Sequence, residues 1–271
     1  MYKVISKWPH QDSIRVEWNM GKRCNLDCVY CPAEIHDNFS PHTPLQTFKD
    51  AIDKLVEIGK PIRLSFTGGE PCVHPKIKEI LAYARDKVEW INVTTNGTLP
   101  YTFYESLPVN HYVFSIHFDN EVVDKVISNV LIWAQGNETD ELPFQLNIMA
   151  HHEYMAKVRS ATSVFDGHSI PYVINKASTV KPNFIIDDTE EIHANDVIKH
   201  KLNQFEGWKC NAGIESLMIN WDGEVHRATC RVGGSLGNIY NGTFEHPSQA
   251  IVCTRKWCTC AADIPLTKVA E

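Results

Sequence analysis

The chain has 271 residues, 43% of them apolar, with 26 Lys and Arg against 33 Asp and Glu and a formal net charge of -7. That length allows one large core and a small appended domain, and the acidic balance with only short basic stretches argues against a nucleic-acid footprint or a polybasic membrane patch. No apolar run approaches the roughly 18 residues that cross a bilayer, and the N-terminal MYKVISKWPHQDS lacks the apolar segment of a signal peptide, so a cytoplasmic setting is expected.

The first short run rich in β-branched and aromatic residues, Ile14 to Trp18, reads as a strand. After it come Cys24, Cys28 and Cys31, spaced Cys-x3-Cys-x2-Cys. A helix is expected next, with Thr43 as cap, Pro44 at its first position and Gln46 three residues on, and with Leu45, Phe48, Ile52, Leu55 and Val56 on one face before a Gly59 stop. The strand Ile62 to Phe66 leads into Thr67-Gly68-Gly69-Glu70-Pro71, then a helix over Lys76 to Lys87. Trp90 to Thr95 is the third strand and runs into Asn96-Gly97. Tyr112 to His117 is the fourth, followed by Asp119 and a helix over Glu121 to Gln135. Phe144 to Met149 and Ile170 to Ile174 complete six strands, separated by a helix over Glu153 to Val164, and a last helix is expected over Glu190 to Gln204.

Strands and helices in alternation imply a parallel sheet with helical crossovers, and six units suggest a partial (β/α)6 TIM-like barrel of the α/β class rather than a closed eight-stranded one. Beyond Phe205 the pattern changes to turns, Gly, Trp and Cys. The expected organisation is a barrel over residues 1–205 and a small cysteine-rich unit of hairpin plus helix over 206–271.

Nine cysteines are many for a reducing compartment, and they fall into two groups with Cys72 between them, which favours metal or redox chemistry over disulfides. Three thiolates on one short loop can ligate three irons of a 4Fe-4S cubane, leaving the fourth iron open to an exogenous ligand. The plainer alternative is a zinc knuckle completed by His36.

The cysteine run, with Tyr30 before its last member, resembles the radical S-adenosylmethionine (radical SAM) superfamily. So do Gly68-Gly69-Glu70-Pro71 after the second strand and Thr94-Thr95-Asn96-Gly97 after the third. The resemblance spans about Ile14 to Asn175. It implies that Cys24, Cys28 and Cys31 hold a SAM-binding 4Fe-4S cluster, that Gly68, Gly69 and Glu70 hold the methionine amino group of SAM, and that Ser115 and His117 lie near its ribose. Tyr30 and Asn96 join this cofactor set. Asn147, Met149, Tyr172 and Asn175 are weaker candidates for an adenine pocket, with packing the competing role. By the same resemblance, one-electron reduction of SAM would give a 5'-deoxyadenosyl radical that abstracts a substrate hydrogen, the electron coming from an external donor such as flavodoxin or ferredoxin.

In the C-terminal unit, Leu217 to His226 reads as a hairpin around Asp222-Gly223 that would bring Cys210 and Cys230 together. With Cys253, Cys258 and Cys260 this resembles Twitch, the shortened relative of the SPASM domain, and implies a second, auxiliary 4Fe-4S cluster. Cys210, Cys230, Cys258 and Cys260 are the expected ligands, with Cys253 as spare or substitute. A structural zinc site is the alternative, since four thiolates suit zinc equally well. Cys72 is expected to pack as an inert thiol.

A second cluster suits a net oxidation, dehydrogenation or crosslinking, of a small molecule or peptide. A peptide or protein maturase is the second reading, although only 23 residues precede Cys24, too few for the leader-binding domain of many peptide-modifying members. A zinc-stabilised binding module is the third. Asp119, His151, His152 and Asp166 are candidates for acid-base work, none of them singled out.

Overall fold

The computed structural model describes residues 3–6, 9–10, 12–136, 142–177, 197 and 201–270, with the backbone alone at 3–6 and 176. Six parallel strands form its centre: β2 (Ile14–Asn19), β3 (Ile62–Thr67), β4 (Trp90–Thr95), β5 (His111–His117), β6 (Phe144–Ala150) and β7 (Tyr172–Lys176), in that order across the sheet. Between them run α1 (Leu45–Val56), α2 (Ile77–Arg85), the short α3 (Tyr101–Glu105), α4 (Val123–Gly136) and α5 (Met155–Gly167).

Strands β2 to β6 alternate strictly. Val16, Trp18, Leu64, Phe66, Phe114 and Ile148 are buried on the helix-facing side, where Trp18 packs on Phe48 of α1 with ring centroids 5.3 Å apart and Phe114 packs on Trp133 of α4. Period-two alternation sends Glu17, Ser65, Asn92, Ser115 and His117 to the opposite, concave face. There Asn92 Nδ2 donates to Ser65 Oγ at 3.0 Å. A closed barrel fills its interior with apolar layers, whereas this open one keeps a polar concave face available to a ligand.

The sheet extends beyond the six strands. β9 (Ser216–Ile219) pairs parallel with β2, and β10 (Glu224–His226) and β11 (Ser235–Asn238) follow antiparallel, giving nine strands. The Asp222-Gly223 hairpin therefore forms where its turn residues indicate, pairing Val225 with Ile219. A second, four-stranded antiparallel sheet joins β1 (Lys3–Ser6), β13 (Lys268–Ala270), β8 (Lys209–Cys210) and β12 (Ile251–Val252). Trp18 Nε1 donates to the Tyr240 hydroxyl at 3.1 Å and so ties the segment after β11 to the barrel core.

Several elements depart from expectation. Pro44, not Thr43, is the residue flanking α1, because its extended ψ of 145° makes Leu45 the first helical position; no side chain caps the helix, and the Thr43 carbonyl instead accepts from His74 Nε2. Gly59 does end that segment, at φ +76°. The sixth strand begins at Tyr172 rather than Ile170, since the Ile170 amide donates to Phe165 at the end of α5 and Pro171 has no N–H for the ladder. The helix expected in the C-terminal unit is absent among the described residues. A single helical turn closes between Cys260 and Ile264, and Pro265 stops it. The expected helix over Glu190 to Gln204 lies mostly outside the described residues, and its described end, 201–204, is not helical, with Lys201 at φ +55°. No helix among those described is long and apolar enough to cross a membrane.

Candidate active site

The loop after β2 is closed at its base by backbone pairing. Cys24 N–H donates to Asp37 and Asp37 N–H to Lys22, so residues 22–37 leave and return at one point. The TGGEP segment after β3 packs on this base. Gly69 N–H donates to the Gly21 carbonyl and Glu70 N–H to Arg23. A Cβ on Gly69 would overlap the carbonyls of Lys22 and Arg23, and one on Gly68, at φ +126°, would lie 2.7 Å from Gly21 O. The close approach these glycines permit is thus between two backbones, the cysteine loop and the β3 turn.

Glu70 is 4% exposed, and its carboxylate accepts from Asn96 N (2.6 Å), Thr95 Oγ1 (2.7 Å) and Cys72 N (2.8 Å). Burial pushes its carboxyl up, opposed by these donors. Asn96 Nδ2 in turn donates to Asn25 Oδ1 at 2.8 Å and approaches Cys24 Sγ at 3.8 Å, and Asn25 donates to Thr98 Oγ1. On the other side Asp119 accepts from Val29 N at 2.8 Å, while Asn120 Nδ2 lies 3.3 Å from Cys28 Sγ. The cysteine loop is therefore held by the ends of β3, β4 and β5. Asn25, Thr98 and Asn120 were missed in the sequence, although Asn120 directly follows the Asp119 that was noted.

Within this frame lies a cavity of about 380 Å³ at the carboxyl ends of the parallel strands. Its walls include Cys24, Cys28 and Cys31 together with Tyr30, Gly68, Gly69, Glu70, Asn96, Ser115 and His117, so every residue of the expected cofactor set meets one space. Met149, Ile35 and Ala177 supply apolar wall. Asn147, Tyr172 and Asn175 are not among the lining residues; Tyr172 opens instead on a separate hollow at the other end of the strands, with His111 and Pro171. Asp166, near the end of α5, interacts with Tyr172 and so also lies away from the cavity.

Tyr30 Oη and His117 Nδ1 are 2.6 Å apart. Burial holds the phenol protonated by pushing its pKa up, and holds the imidazole neutral by pushing its pKa down to about 4, so the Tyr30 hydroxyl donates and His117 accepts. His151 stacks on Tyr30 from another side, ring centroids 6.0 Å apart.

Cys24, Cys28 and Cys31 all line this space. Burial raises Cys28 to about 12 and Cys31 to about 11, with the charges of Asp119 and of Cys24 adding to the rise; Cys24 is raised as well. Three soft donors around one cavity that resist ionisation alone fit a metal centre whose positive charge stabilises thiolates. His36 does not complete a zinc set: its Nε2 hydrogen-bonds the Leu26 carbonyl at 2.7 Å and its Nδ1 lies 3.9 Å from Asp27. Cys72 is buried between Glu70 and Thr95 with its pKa well above normal, an inert thiol as expected.

Residues 18–133 match the family described as the Radical SAM superfamily. The chain carries a radical SAM domain. The family uses a 4Fe-4S cluster and S-adenosylmethionine, and the thiols and cavity of this radical SAM domain fit both. Over 85 residues the chain is 44% identical to the Fe-coproporphyrin III synthase of Methanosarcina barkeri, which is 31% of this chain and 21% of that protein. The chain covers about a fifth of the length of the first curated relatives it matches. Among solved structures, anSMEcpe with bound AdoMet superposes with a TM-score of 0.61 at 14% identity, covering 85% of this chain and 79% of that one. Streptococcus suis SuiB bound to S-adenosylmethionine gives 0.60 at 12% identity, covering 85% and 64%. At such identities the likeness is one of fold.

The C-terminal thiols form a second group outside that domain. Cys210, Cys253 and Cys258 are buried and Cys230 partly so. Cys253 acts electrostatically on Cys210 and Cys230, and Cys258 responds to Cys230 and Cys210; burial raises Cys230 to about 11 and Cys258 to about 12. Cys260 is raised by burial and by Asp263, and hydrogen-bonds Thr229.

Proposed function

We propose that the chain is a radical SAM enzyme that cleaves S-adenosylmethionine reductively and uses the resulting radical for a net oxidation, dehydrogenation or crosslinking, of a small molecule or peptide. The observation that carries this reading is the single cavity into which three cysteine thiols, the Gly68-Gly69-Glu70 turn, Ser115 and His117 all open. A cluster held by Cys24, Cys28 and Cys31 would supply the electron for reductive cleavage of S-adenosylmethionine. The chain's own residues do the rest. Cys24, Cys28 and Cys31 hold the cluster; Gly68, Gly69 and Glu70 fix the loop that carries it; Tyr30 and His117, locked to each other, orient the adenosine part; Met149, Ile35 and Ala177 keep water and adventitious hydrogen donors out.

Residues 206–271 act in this reading as an auxiliary unit, Twitch-like, with Cys210, Cys230, Cys253 and Cys258 as cluster ligands. Cys253, which shares the electrostatic neighbourhood of Cys210 and Cys230, is taken as the fourth ligand, with Cys260, favoured from sequence, as its alternative. An external one-electron donor and a reducing cytoplasm complete the setting.

The test is anaerobic iron and zinc content together with 5'-deoxyadenosine release from SAM, on wild type and on the Cys24→Ala/Cys28→Ala/Cys31→Ala variant. Two cubanes give about eight irons, falling to about four in the variant with loss of SAM cleavage. Zinc in place of iron, with no cleavage by wild type, would leave the zinc-stabilised binding module as the surviving reading.

A further inference from the structure

Lys268 is 1% exposed and, among the described residues, is the only lysine or arginine that is buried. Lysine is almost never fully buried without partners, because its charge loses hydration. Here Nζ donates to the backbone carbonyls of Asp263 (2.7 Å), Ile264 (3.0 Å) and Leu266 (3.1 Å), and sits 4.9 Å from the Phe205 ring centroid. Three acceptors require three N–H donors, which an ammonium has and a neutral amine lacks. The geometry therefore keeps the positive charge.

That charge is held by carbonyls and a ring rather than by a carboxylate. The nearby Asp263 side chain is engaged elsewhere: Oδ1 pairs with Arg15 at 3.0 Å and Oδ2 accepts from Cys230 N at 2.9 Å. Strand pairing sets Lys268 directly opposite Cys210, on the same side of the sheet. Its charge pulls the thiols of Cys210 and Cys258 downward against the rise caused by burial.

We propose that Lys268 is a charge-compensating residue for the C-terminal cysteines, its fixed positive charge offsetting their thiolates and raising the reduction potential of the metal centre they hold. The proposal rests on the reading of those cysteines as iron-sulfur ligands. Reduction adds negative charge to a cluster, and a buried cation beside it favours the reduced form, since net charge is one of the quantities that set cluster potentials.

The experiment uses the Cys24→Ala/Cys28→Ala/Cys31→Ala chain, which isolates the C-terminal site, and adds either Lys268→Gln or Lys268→Arg. Iron content is measured first, then the reduction potential by anaerobic titration followed by electron paramagnetic resonance. No iron in the parent triple variant overturns the cluster reading itself. With about four irons in the parent, the expected result is a lower potential in K268Q and a potential close to the parent's in K268R; iron lost from K268Q but kept in K268R also supports the role of charge. Equal potentials in all three proteins overturn it, as does equal loss of iron from K268Q and K268R, which would make Lys268 a packing element.

Discussion

The Glu70 carboxylate accepts the backbone N–H of Asn96 at 2.6 Å, joining the turn after β3 to the end of β4 beneath the cavity. With Thr95 Oγ1 and Cys72 N also donating to it, Glu70 is a brace with acceptors only. Glu70→Gln places an NH2 group against one of these donors. We expect a loss of about 2 kcal/mol in unfolding free energy, read from urea denaturation. Wild-type stability combined with lost SAM binding would instead make Glu70 a direct ligand contact.

Gly69→Ala tests the backbone contact between the β3 turn and the cysteine loop. The added methyl meets the Lys22 and Arg23 carbonyls, which immediately precede Cys24. Reduced iron uptake at the N-terminal site is expected, with far-UV circular dichroism unchanged. Gly136→Ala, where nothing lies within 4 Å of the new atom, is the control and should load iron normally.

Much of this was legible in the sequence, and the reasons differ by residue. Apolar alternation in runs such as Ile62 to Phe66 fixes which side faces the helices, so the six parallel strands could be read locally. The cavity set could be read because its members follow strand ends in order. Long-range partners could not: β1 pairs with β13 from the other end of the chain, and Lys268, in a polar-looking TKVAE stretch, declares its burial only when β13 lies on β8. The bracing role of Glu70 was not legible either, because the amides it accepts reach it only through folding.

His74 is locked in one tautomer. Nε2 donates to the Thr43 carbonyl at 2.9 Å and Nδ1 accepts from Lys76 N at 3.0 Å, and burial lowers its pKa. The unfolded chain therefore takes up this proton first as pH falls, so stability is full above about 6.5 and declines below it. His42, edge-on to His74 and also lowered, acts in the same direction. Urea midpoints between pH 7.5 and 5.5 should fall for wild type and fall less steeply for His74→Gln.

Tyr240→Phe removes the acceptor of the buried Trp18 N–H without altering ring packing. A loss of about 1–3 kcal/mol in urea unfolding is expected. No change in midpoint would mean that the indole nitrogen finds another acceptor.

In the background lacking Cys24, Cys28 and Cys31, Cys253→Ala should lose iron and Cys260→Ala should retain it. Iron analysis after anaerobic reconstitution distinguishes the two directly. The reverse outcome would restore Cys260 to the ligand set.

The parallel pairing of β2 with β9 has a kinetic consequence. Ribosomes deliver β2 through β7 first, and the flank of β2 stays unpaired until Ser216–Ile219 emerges, some two hundred residues later in the chain. Contacts of such sequence separation make folding slow, and an open strand edge beside finished neighbours invites pairing with other chains. Expression at low temperature or with chaperones present should raise the yield of monomer, and truncation before Ser216 should aggregate through the exposed side of β2.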